Sequence, residues 1–283
     1  MVCFSGSSHI IWLGGVGGVD LLITLDYYSV AFLIVLLLIV GRVYIFSRLY
    51  MREDTKVTRF FWLLRLFVLS MIILICIPNL FILLLGWDGL GVTRVLLILH
   101  YSSSSSWSSG LKTFVINRLG DGFLICALIM LFVQGHWDYC YWNYLRFLVG
   151  TVLLLGFFTK RAQFPFSSWL PVAMAAPTPV SALVHSSTLV TAGLYLLFRF
   201  YWFLGDGVLL ISSLVGLWTL CLASLAGSFE WDSKKIVAYS TLSQLGLMCV
   251  FFGWGLVGFG FYHLLIHALF KALMFICVGY CIY

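Results

Sequence analysis

Three ionisable side chains recur every four residues near the C-terminal end of the chain, in the run HLLIHALFK. On a helix, His263, His267 and Lys271 would share one face. Ionisable groups stacked along an apolar helix are typical of a proton relay. Zinc and haem iron are the competing interpretations of paired histidines. However, Leu264 stands where the zinc protease motif has glutamate, and adjacent turns of one helix cannot ligate both faces of one iron.

Lys160 and Arg161 put two adjacent cations in front of a proline-rich segment. Pro165 and Pro171 should break the helix there, because each removes a backbone donor and clashes with the preceding turn. Hydrocarbon tolerates interrupted backbone only where other protein or a water-filled cavity satisfies it. The pattern therefore indicates an ion path, in which burial favours the neutral lysine and a nearby carboxylate favours the charged one. The alternative is that both cations sit at a helix end and reach the headgroups.

Asp88 falls about midway along an apolar run, in GWDGLGV. A carboxylate at that depth must be protonated, paired or hydrated. Structural capping is the alternative, and it requires a helix end that we do not expect so deep in a span. His185 follows PTPVSA and is surrounded by hydroxyl side chains. It is either a proton carrier or a core histidine whose ring is satisfied by hydrogen bonds.

The composition places these residues in a membrane. Hydrophobic residues make up 63% of the 283 residues and charged residues 9%, and the mean hydropathy is +1.09, which excludes an ordinary soluble domain. We therefore predict an all-α polytopic membrane protein. Apolar runs of about 17 to 25 residues predict nine transmembrane helices, near residues 29–47, 60–77, 79–99, 112–133, 143–164, 177–202, 207–226, 236–253 and 256–281. Residues 1–28 are glycine-rich and predict an extended surface segment.

The net charge of +6 is distributed as expected for membrane orientation rather than for nucleic-acid binding. A basic cluster follows the first predicted span, with Arg42, Arg48, Arg52, Lys56 and Arg59. The positive-inside rule turns this side toward the cytoplasm or mitochondrial matrix. The serine run from Ser102 to Ser109 predicts a low-complexity loop on the same side. The eight cysteines form no CxxC and mostly lie within predicted spans, so we expect core residues rather than disulfides or metal ligands.

No basic segment precedes the first hydrophobic stretch, since the first lysine or arginine is Arg42. We therefore expect no cleaved leader, which fits an organelle-encoded or bacterial inner-membrane protein.

Five motifs in order carry a family resemblance: GWDGLGV, NRLGD at 117–121, the block from AQFPFSSWLP to TAGLYL, DSKKIVAYSTLSQLGLM at 232–248, and HLLIHALFKALMF. Together they resemble the antiporter-like, proton-translocating subunits of mitochondrial NADH:ubiquinone oxidoreductase, respiratory complex I. HSSTLV and SQLGLM favour the chain 5 type. Similar blocks occur in Mrp-type sodium/proton antiporter subunits and in sister complex I chains.

The resemblance implies two inverted five-helix repeats, each with a broken helix that bears a titratable lysine. Residues 29–283 would form the antiporter-like domain, with a complete first repeat at 60–203 and three helices of the second at 206–283. It assigns proton-carrying roles to six residues: Asp88, Lys160, His185, His263, His267 and Lys271. Asp88 would pair with Lys160, and the last three residues would lie on a central hydrophilic axis.

The function implied is proton pumping coupled to electron transfer from NADH to ubiquinone in the mitochondrial inner membrane. NADH, flavin mononucleotide, iron–sulfur clusters and ubiquinone would belong to other subunits, so this chain would carry no cofactor and would be an enzyme only as part of the complex. The alternatives are a sodium/proton antiporter subunit of the Mrp type and a structural membrane spacer. Partners would be the other complex I subunits and membrane lipids, with no nucleic acid.

Three departures from the family pattern modify these expectations. Asp88 replaces a glutamate, so its pairing with Lys160 would be longer or bridged by water. Arg94 replaces a small uncharged residue two turns from Asp88, and it would compete for that carboxylate or point toward the matrix surface. The chain stops at Tyr283, before the second broken helix of the family. We therefore expect a separate polypeptide to supply that helix and to dock against residues 256–281.

Overall fold

The computed structural model describes residues 9–16, 19–77, 80–133 and 143–282. Side chains are described from residue 23 onward, apart from positions 80–81, 132–133, 143–146, 185–187 and 189. Two strands, β1 (His9–Val16) and β2 (Val19–Leu25), form an antiparallel hairpin that pairs His9 with Leu25 and Val16 with Val19. The extended segment predicted for residues 1–28 therefore contains a hairpin, while residues 1–8 lie outside the described part of the chain.

Helices make up the rest of the fold. They are α1 (Tyr27–Tyr50), α2 (Val57–Cys76), α3 (Leu80–Ile98), α4 (Ser104–Val133), α5 (Asn143–Lys160), α6 (Trp169–Val172), α7 (Thr178–Val180), a π-helix (Ser181–Thr188), α8 (Leu189–Arg199), α9 (Asp206–Ser228), α10 (Ser233–Gly253) and α11 (Val257–Ile282). Among the described residues, seven helices are long and apolar enough to cross a membrane, and three shorter apolar helices accompany them. The prediction of an all-α, multi-pass membrane protein is confirmed.

The predicted break in the fifth span begins directly after Lys160. Residues 166–168 and 173–175 form single 3-10 turns on either side of the four-residue α6, so no regular helix continues from α5. Two carbonyl groups at the end of α5 accept hydrogen bonds from residues that follow the helix. The indole of Trp169 donates to the carbonyl of Thr159 at 2.9 Å, and the amide of Gln163 donates to the carbonyl of Phe158 at 3.1 Å. Hydrogen bonds from within the broken segment thus stabilise the interruption that the prolines impose.

The serine run is not a loop throughout, because α4 begins at Ser104. The Ser103 hydroxyl accepts a hydrogen bond from the amide of Ser106 at 3.1 Å, as an N-terminal cap does. Within the helix the Ser109 hydroxyl donates to the carbonyl of Ser106 at 2.8 Å. These local bonds satisfy the hydroxyls inside a helix, so the loop prediction is wrong from Ser104 onward, and α4 starts eight residues earlier than expected.

Helices α9 and α10 approach each other closely at two glycines. A Cβ atom on Gly216 would lie 2.7 Å from the carbonyl oxygen of Gly246, and one on Gly246 would lie 2.6 Å from the carbonyl oxygen of Gly216. Both distances are shorter than any side chain permits, so the pair of glycines sets the separation of the two helices. Helix α11 then packs against α10, the π-helix and α1.

An ion pair joins the beginning of α1 to the end of α8. Asp26 precedes α1, and its amide donates to the hydroxyl of Ser29 at 2.7 Å. Its carboxylate pairs with Arg199, the last residue of α8. Arg199 also donates through Nε to the Tyr195 hydroxyl at 2.9 Å, and that hydroxyl donates to the carbonyl of Ile75 on α2 at 3.3 Å. Three helices are thereby tied together at one end of the molecule.

Candidate functional site

Lys160 directs its ammonium group from the end of α5 toward α3, and its side chain is only 1% exposed. The Nζ atom donates a hydrogen bond of 2.8 Å to the carbonyl of Trp87 and lies 4.7 Å from the centre of the Trp87 ring. A Cβ atom on Gly91, one turn further along α3, would lie 3.1 Å from Nζ. The glycine therefore leaves the space that the ammonium group occupies.

Four residues of alternating charge form a chain that ends at Lys160. Arg118 Nη1 donates to Asp88 Oδ1 at 2.6 Å and to Asp121 Oδ2 at 3.4 Å. The other Asp121 oxygen, Oδ1, lies 3.8 Å from Lys160 Nζ. The side chains of Asp88 and Arg118 are 39% and 42% exposed, whereas that of Asp121 is 8% exposed. The chain thus leads from an exposed acid to a buried cation.

Asp88 makes no direct ion pair with Lys160, and the longer or water-bridged pairing expected from the sequence stays a prediction. Asp88 does lie midway along α3, as expected, but its carboxylate pairs with Arg118 on α4. Trp87, the preceding residue, faces Lys160, and successive residues on a helix point about 100° apart. Asp88 is therefore turned away from the lysine, and Asp121 takes its place as the nearest carboxylate.

Sequence reasoning did not identify Asp121 or Arg118 as site residues. Both belong to NRLGD, a motif that contributes to the family resemblance. Their spacing of three residues puts them on one face of α4, and both fall inside the predicted span 112–133. Two opposite charges within an apolar helix are themselves a signal of a functional site. Asn117, their neighbour, is also buried.

Arg94 behaves differently from both alternatives that the sequence offered. Its side chain is fully buried, and its guanidinium carbon lies 4.0 Å from the centre of the Trp169 ring. Among the described atoms, none of its three side-chain nitrogens has a hydrogen-bond partner. It therefore neither competes for Asp88 nor reaches a membrane surface. Trp87, Gly91 and Arg94 follow the spacing of one helix face, so all three lie on the side of α3 that packs against the broken segment.

The second group of ionisable residues lies between α10 and α11. Lys271 Nζ donates to the Ser240 hydroxyl at 2.6 Å, and one ring nitrogen of His263 lies 3.0 Å from Gln244 Oε1. His267 lies between these two residues in the sequence and is buried. Its ring centre is 6.1 Å from that of His263. The spacing of four residues that unites them on α11 is matched by Ser240 and Gln244 on α10. The two helices thus present a continuous polar seam.

His185 lies in the π-helix Ser181–Thr188, but its side chain falls outside the described residues. The π-helix widens the segment that follows the break. The Thr188 hydroxyl donates to the carbonyl of Leu183, five residues earlier, at 2.6 Å. Segments of this kind are rare and frequently occur at functional sites.

Metal ligation has little support among the described residues, which contain no group of three or more histidine, cysteine or acidic side chains. Only His263, His267 and Lys271 come near each other on α11, and the nearest polar partners of this group are a serine and a glutamine. The arrangement suits hydrogen bonding and proton exchange better than the coordination of a metal ion.

A broken, charge-bearing helix within a bundle of apolar helices defines an antiporter-like membrane subunit. A family model described as "NADH:quinone oxidoreductase/Mrp antiporter, TM" matches residues 78–283. A second, described as "NADH-Ubiquinone oxidoreductase (complex I), chain 5 N-terminus", matches residues 12–61. The chain therefore belongs to the NADH:quinone oxidoreductase/Mrp antiporter family.

Curated relatives specify the branch of the family that the sequence motifs indicated. The chain is 48% identical over 265 residues to NADH-ubiquinone oxidoreductase chain 5 of Anopheles quadrimaculatus, covering 90% of this chain and 45% of that protein. The chain 5 protein of Lumbricus terrestris is 47% identical over 261 residues, which cover 91% of this chain and 46% of that protein. The chain thus spans about half the length of these relatives.

Two solved structures share the fold. The Mrp complex from Dietzia sp. matches with a TM-score of 0.89 at 28% identity, covering 96% of this chain and 32% of that one. The membrane-bound sulfane sulfur reductase, an archaeal respiratory membrane complex, matches with a TM-score of 0.83 at 20% identity, covering 96% of this chain and 60% of that one.

Proposed function

We propose that this chain is a proton-translocating part of the membrane arm of respiratory complex I, in the mitochondrial inner membrane. The observation that carries the proposal is the buried Lys160 at a helix break, reached by an alternating chain of charges. The chain 5 relatives support the assignment to complex I. Other subunits would hold NADH, flavin mononucleotide, the iron–sulfur clusters and ubiquinone, so this chain would contribute proton movement to the reductase rather than redox chemistry.

Arg118 provides a physical basis for switching, because it lies between two carboxylates. It is closer to Asp88, at 2.6 Å, than to Asp121, at 3.4 Å. While Arg118 stays with Asp88, the charge of Asp121 is available to stabilise the protonated Lys160. If Arg118 moves toward Asp121, it engages that carboxylate and weakens its attraction for the lysine proton. A shift of one side chain would thus release a proton from the buried site.

The polar atoms around Lys160 suit a hydrated path. Trp87 Nε1 and both side-chain polar atoms of Asn117 are buried without a protein partner among the described residues. Buried groups of this kind are commonly satisfied by ordered water. The proposed route continues through His185 toward the seam formed by His263, His267 and Lys271.

Pumping by the assembled complex tests the proposal. Lys160→Met keeps the length and apolar stem of the side chain but carries no proton, so we expect the proton-to-electron ratio in reconstituted vesicles to fall. Lys112→Met, an exposed lysine on α4, is the matched control and should leave the ratio unchanged. An unaltered ratio in Lys160→Met would refute the proton role and favour the structural spacer.

An Mrp-type sodium/proton antiporter subunit is the second candidate, because the chain shares its fold with a structure of an Mrp complex. The two functions differ in their partners and in their cation. Co-purification with flavin and iron–sulfur subunits supports complex I. Sodium-dependent proton movement in vesicles without any electron donor supports the antiporter instead.

We also propose that further polypeptide, bearing a second broken helix, packs against α11. The relatives are about twice as long as this chain. Their additional length is sufficient for such a helix, in the same or in a separate polypeptide. Gly258 on α11 has open space around it, with no atom within 4 Å of a Cβ placed there, as close helix approach requires. A photo-reactive phenylalanine analogue at the exposed Tyr262 should cross-link to protein in the assembly. Cross-links to lipid alone would contradict the packing.

A further inference from the structure

A polar groove lies between the end of α1 and the beginning of α2, away from the residues assigned to proton transfer. It has a volume of about 270 Å³ and is lined by Tyr44, Arg48, Thr58, Phe61, Trp62 and Arg65. Two cations, two hydroxyls and three aromatic rings thus surround one open space. The composition differs from the leucine- and isoleucine-rich surface that the rest of these helices exposes.

The two arginines of the groove have no acidic partner among the residues that the structure describes. Neither Arg48 nor Arg65 has a carboxylate within ion-pair distance in the described part of the chain. Both side chains are exposed. The guanidinium carbon of Arg65 lies 5.2 Å from the centre of the Trp62 ring, and the Tyr44 hydroxyl lies beside the same guanidinium. An aromatic ring and a hydroxyl orient the cation but do not neutralise it.

The position of the groove makes this unpaired charge costly. Arg48 is in the last turn of α1 and Thr58 in the first turn of α2, so the mouth of the groove lies at the membrane boundary. Arg65 is seven residues further along α2, which corresponds to about 10 Å of depth. An exposed guanidinium at that depth must reach the headgroups or find an anion.

The surroundings favour a lipid as the source of that anion. Trp62, Leu66 and Leu69 are exposed and follow one face of α2, so an apolar strip continues from the groove toward the membrane interior. The turn between α1 and α2 carries two acidic residues, Glu53 and Asp54, and the Asp54 carboxylate lies 3.6 Å from the His100 ring.

We propose that this groove binds the phosphate of an anionic phospholipid, with the acyl chains along the apolar strip. Guanidinium groups bind phosphate oxygens through parallel hydrogen bonds, and basic pockets between helices on this side of a membrane hold anionic headgroups. Arg48 and Arg65 supply the charge, and the hydroxyls of Tyr44 and Thr58 supply further donors. The site is independent of the proposed proton path, so either proposal can fail alone.

Photo-labelling of the purified assembly in nanodiscs tests the site. The probe is phosphatidylglycerol with a photo-reactive group near its headgroup, and the matching phosphatidylcholine probe has the same chains without net charge. We expect the phosphatidylglycerol probe to label the peptide that spans residues 44–65 more strongly than the phosphatidylcholine probe does. Labelling should fall about fivefold in Arg48→Gln and in Arg65→Gln, as loss of one interfacial cation predicts. Arg42→Gln, an exposed arginine on α1 outside the groove, is the control and should label normally.

Several results would overturn the proposal. Equal labelling by the two lipids would show that the charge of the headgroup is not recognised. Unchanged labelling in the double variant Arg48→Gln/Arg65→Gln would exclude the arginines as ligands. Displacement of the probe by millimolar inorganic phosphate would assign the groove to a soluble anion, and a cross-link from this groove to another subunit would assign it to protein.

Discussion

At the scale of single residues, the site depends on which side chain occupies each turn of α3 and α4. Trp87 and Gly91 make a place for Lys160, while Asp88 between them faces Arg118. Asp121 is then the carboxylate that is both buried and nearest to the lysine. The two acids of the site therefore have unequal roles, although both carry the same charge.

Asp121→Asn should impair proton pumping more than Asp88→Asn. Asp121→Asn leaves the buried lysine without its nearest carboxylate, and loss of one partner of a buried pair costs about 3 to 5 kcal/mol. Asp88 is partly exposed and pairs with Arg118 rather than with the lysine. The measurement is the proton-to-electron ratio of the assembled complex in vesicles. Asp206→Asn, an exposed acid at the start of α9, is the control. A larger effect for Asp88→Asn would contradict the pairing seen here.

Arg94→Met should leave the protein as stable as before or make it more stable. The arginine is buried with no hydrogen-bond partner among the described atoms. Burial of an uncompensated charge costs several kcal/mol, and an apolar side chain of similar length avoids that cost. The contact with Trp169 would be retained by the methionine. The midpoint of thermal unfolding in detergent measures the change. Arg118→Met, which removes two ion pairs, should lower that midpoint. A comparable drop in Arg94→Met would show that Arg94 has a stabilising partner.

At the scale of secondary-structure elements, glycines set the separation of α9 and α10, and prolines follow the break at the end of α5. The pair α9 and α10 is in contact through backbone at Gly216 and Gly246. The pair α5 and α6 is separated by a break in which the Trp169 indole satisfies a carbonyl of the ending helix. Close packing and interruption are thus produced by different residue types within one bundle.

Gly246→Ala should destabilise the fold. The added methyl would lie 2.6 Å from a backbone oxygen of α9, so the helices must separate, and overpacking of this kind costs about 1 to 3 kcal/mol. Gly41→Ala in α1 is the matched control, since no atom lies within 4 Å of its added methyl. That variant should be neutral or gain up to about 1 kcal/mol from helix propensity. The measurement is the midpoint of thermal unfolding of both variants. Equal shifts of the two midpoints would refute the contact.

The sequence predicted the helices and the break well, because both depend on local chemistry. Apolar runs define spans, and Pro165 and Pro171 interrupt the backbone wherever they occur. It predicted the ion pairs poorly, since the partner of Asp88 depends on the rotation of α3 against α4. The extent of α4 was missed for another reason: serine is common in loops, yet the cap at Ser103 allows a helix to start there.

At the scale of the whole molecule, two polar systems lie within one apolar bundle. A separate ion pair joins two helices at one end of the bundle. The first system surrounds Lys160, the second is the seam that ends at Lys271, and the segment between them contains the π-helix. The tie between Asp26 and Arg199 joins α1 to α8. A change at this tie should therefore alter the stability of the bundle without touching either polar system.

Asp26→Asn should destabilise the protein more than Asp232→Asn. The first removes the charge that compensates a largely buried Arg199, while Asp232 forms a mostly exposed pair with Lys235. Exposed pairs contribute about 0 to 1 kcal/mol, and a pair with restricted access to water contributes more when one partner is removed. Thermal unfolding gives the difference. The double variant Asp26→Asn/Arg199→Gln should recover part of the loss, and equal losses in the two single variants would count against the tie.

The contact between Gly216 and Gly246 also determines which inherited changes the gene can accept. Every amino acid other than glycine carries a Cβ atom, so any missense change at either codon meets backbone on the facing helix. At Gly41 and Gly122 no atom of this chain lies within 4 Å of an added Cβ, so a missense change there meets no obstacle within the chain. We expect natural variation between individuals to accumulate at the open positions and to be removed by selection at the two that touch. The close approach of α9 and α10 thus predicts a low frequency of missense polymorphism at Gly216 and Gly246.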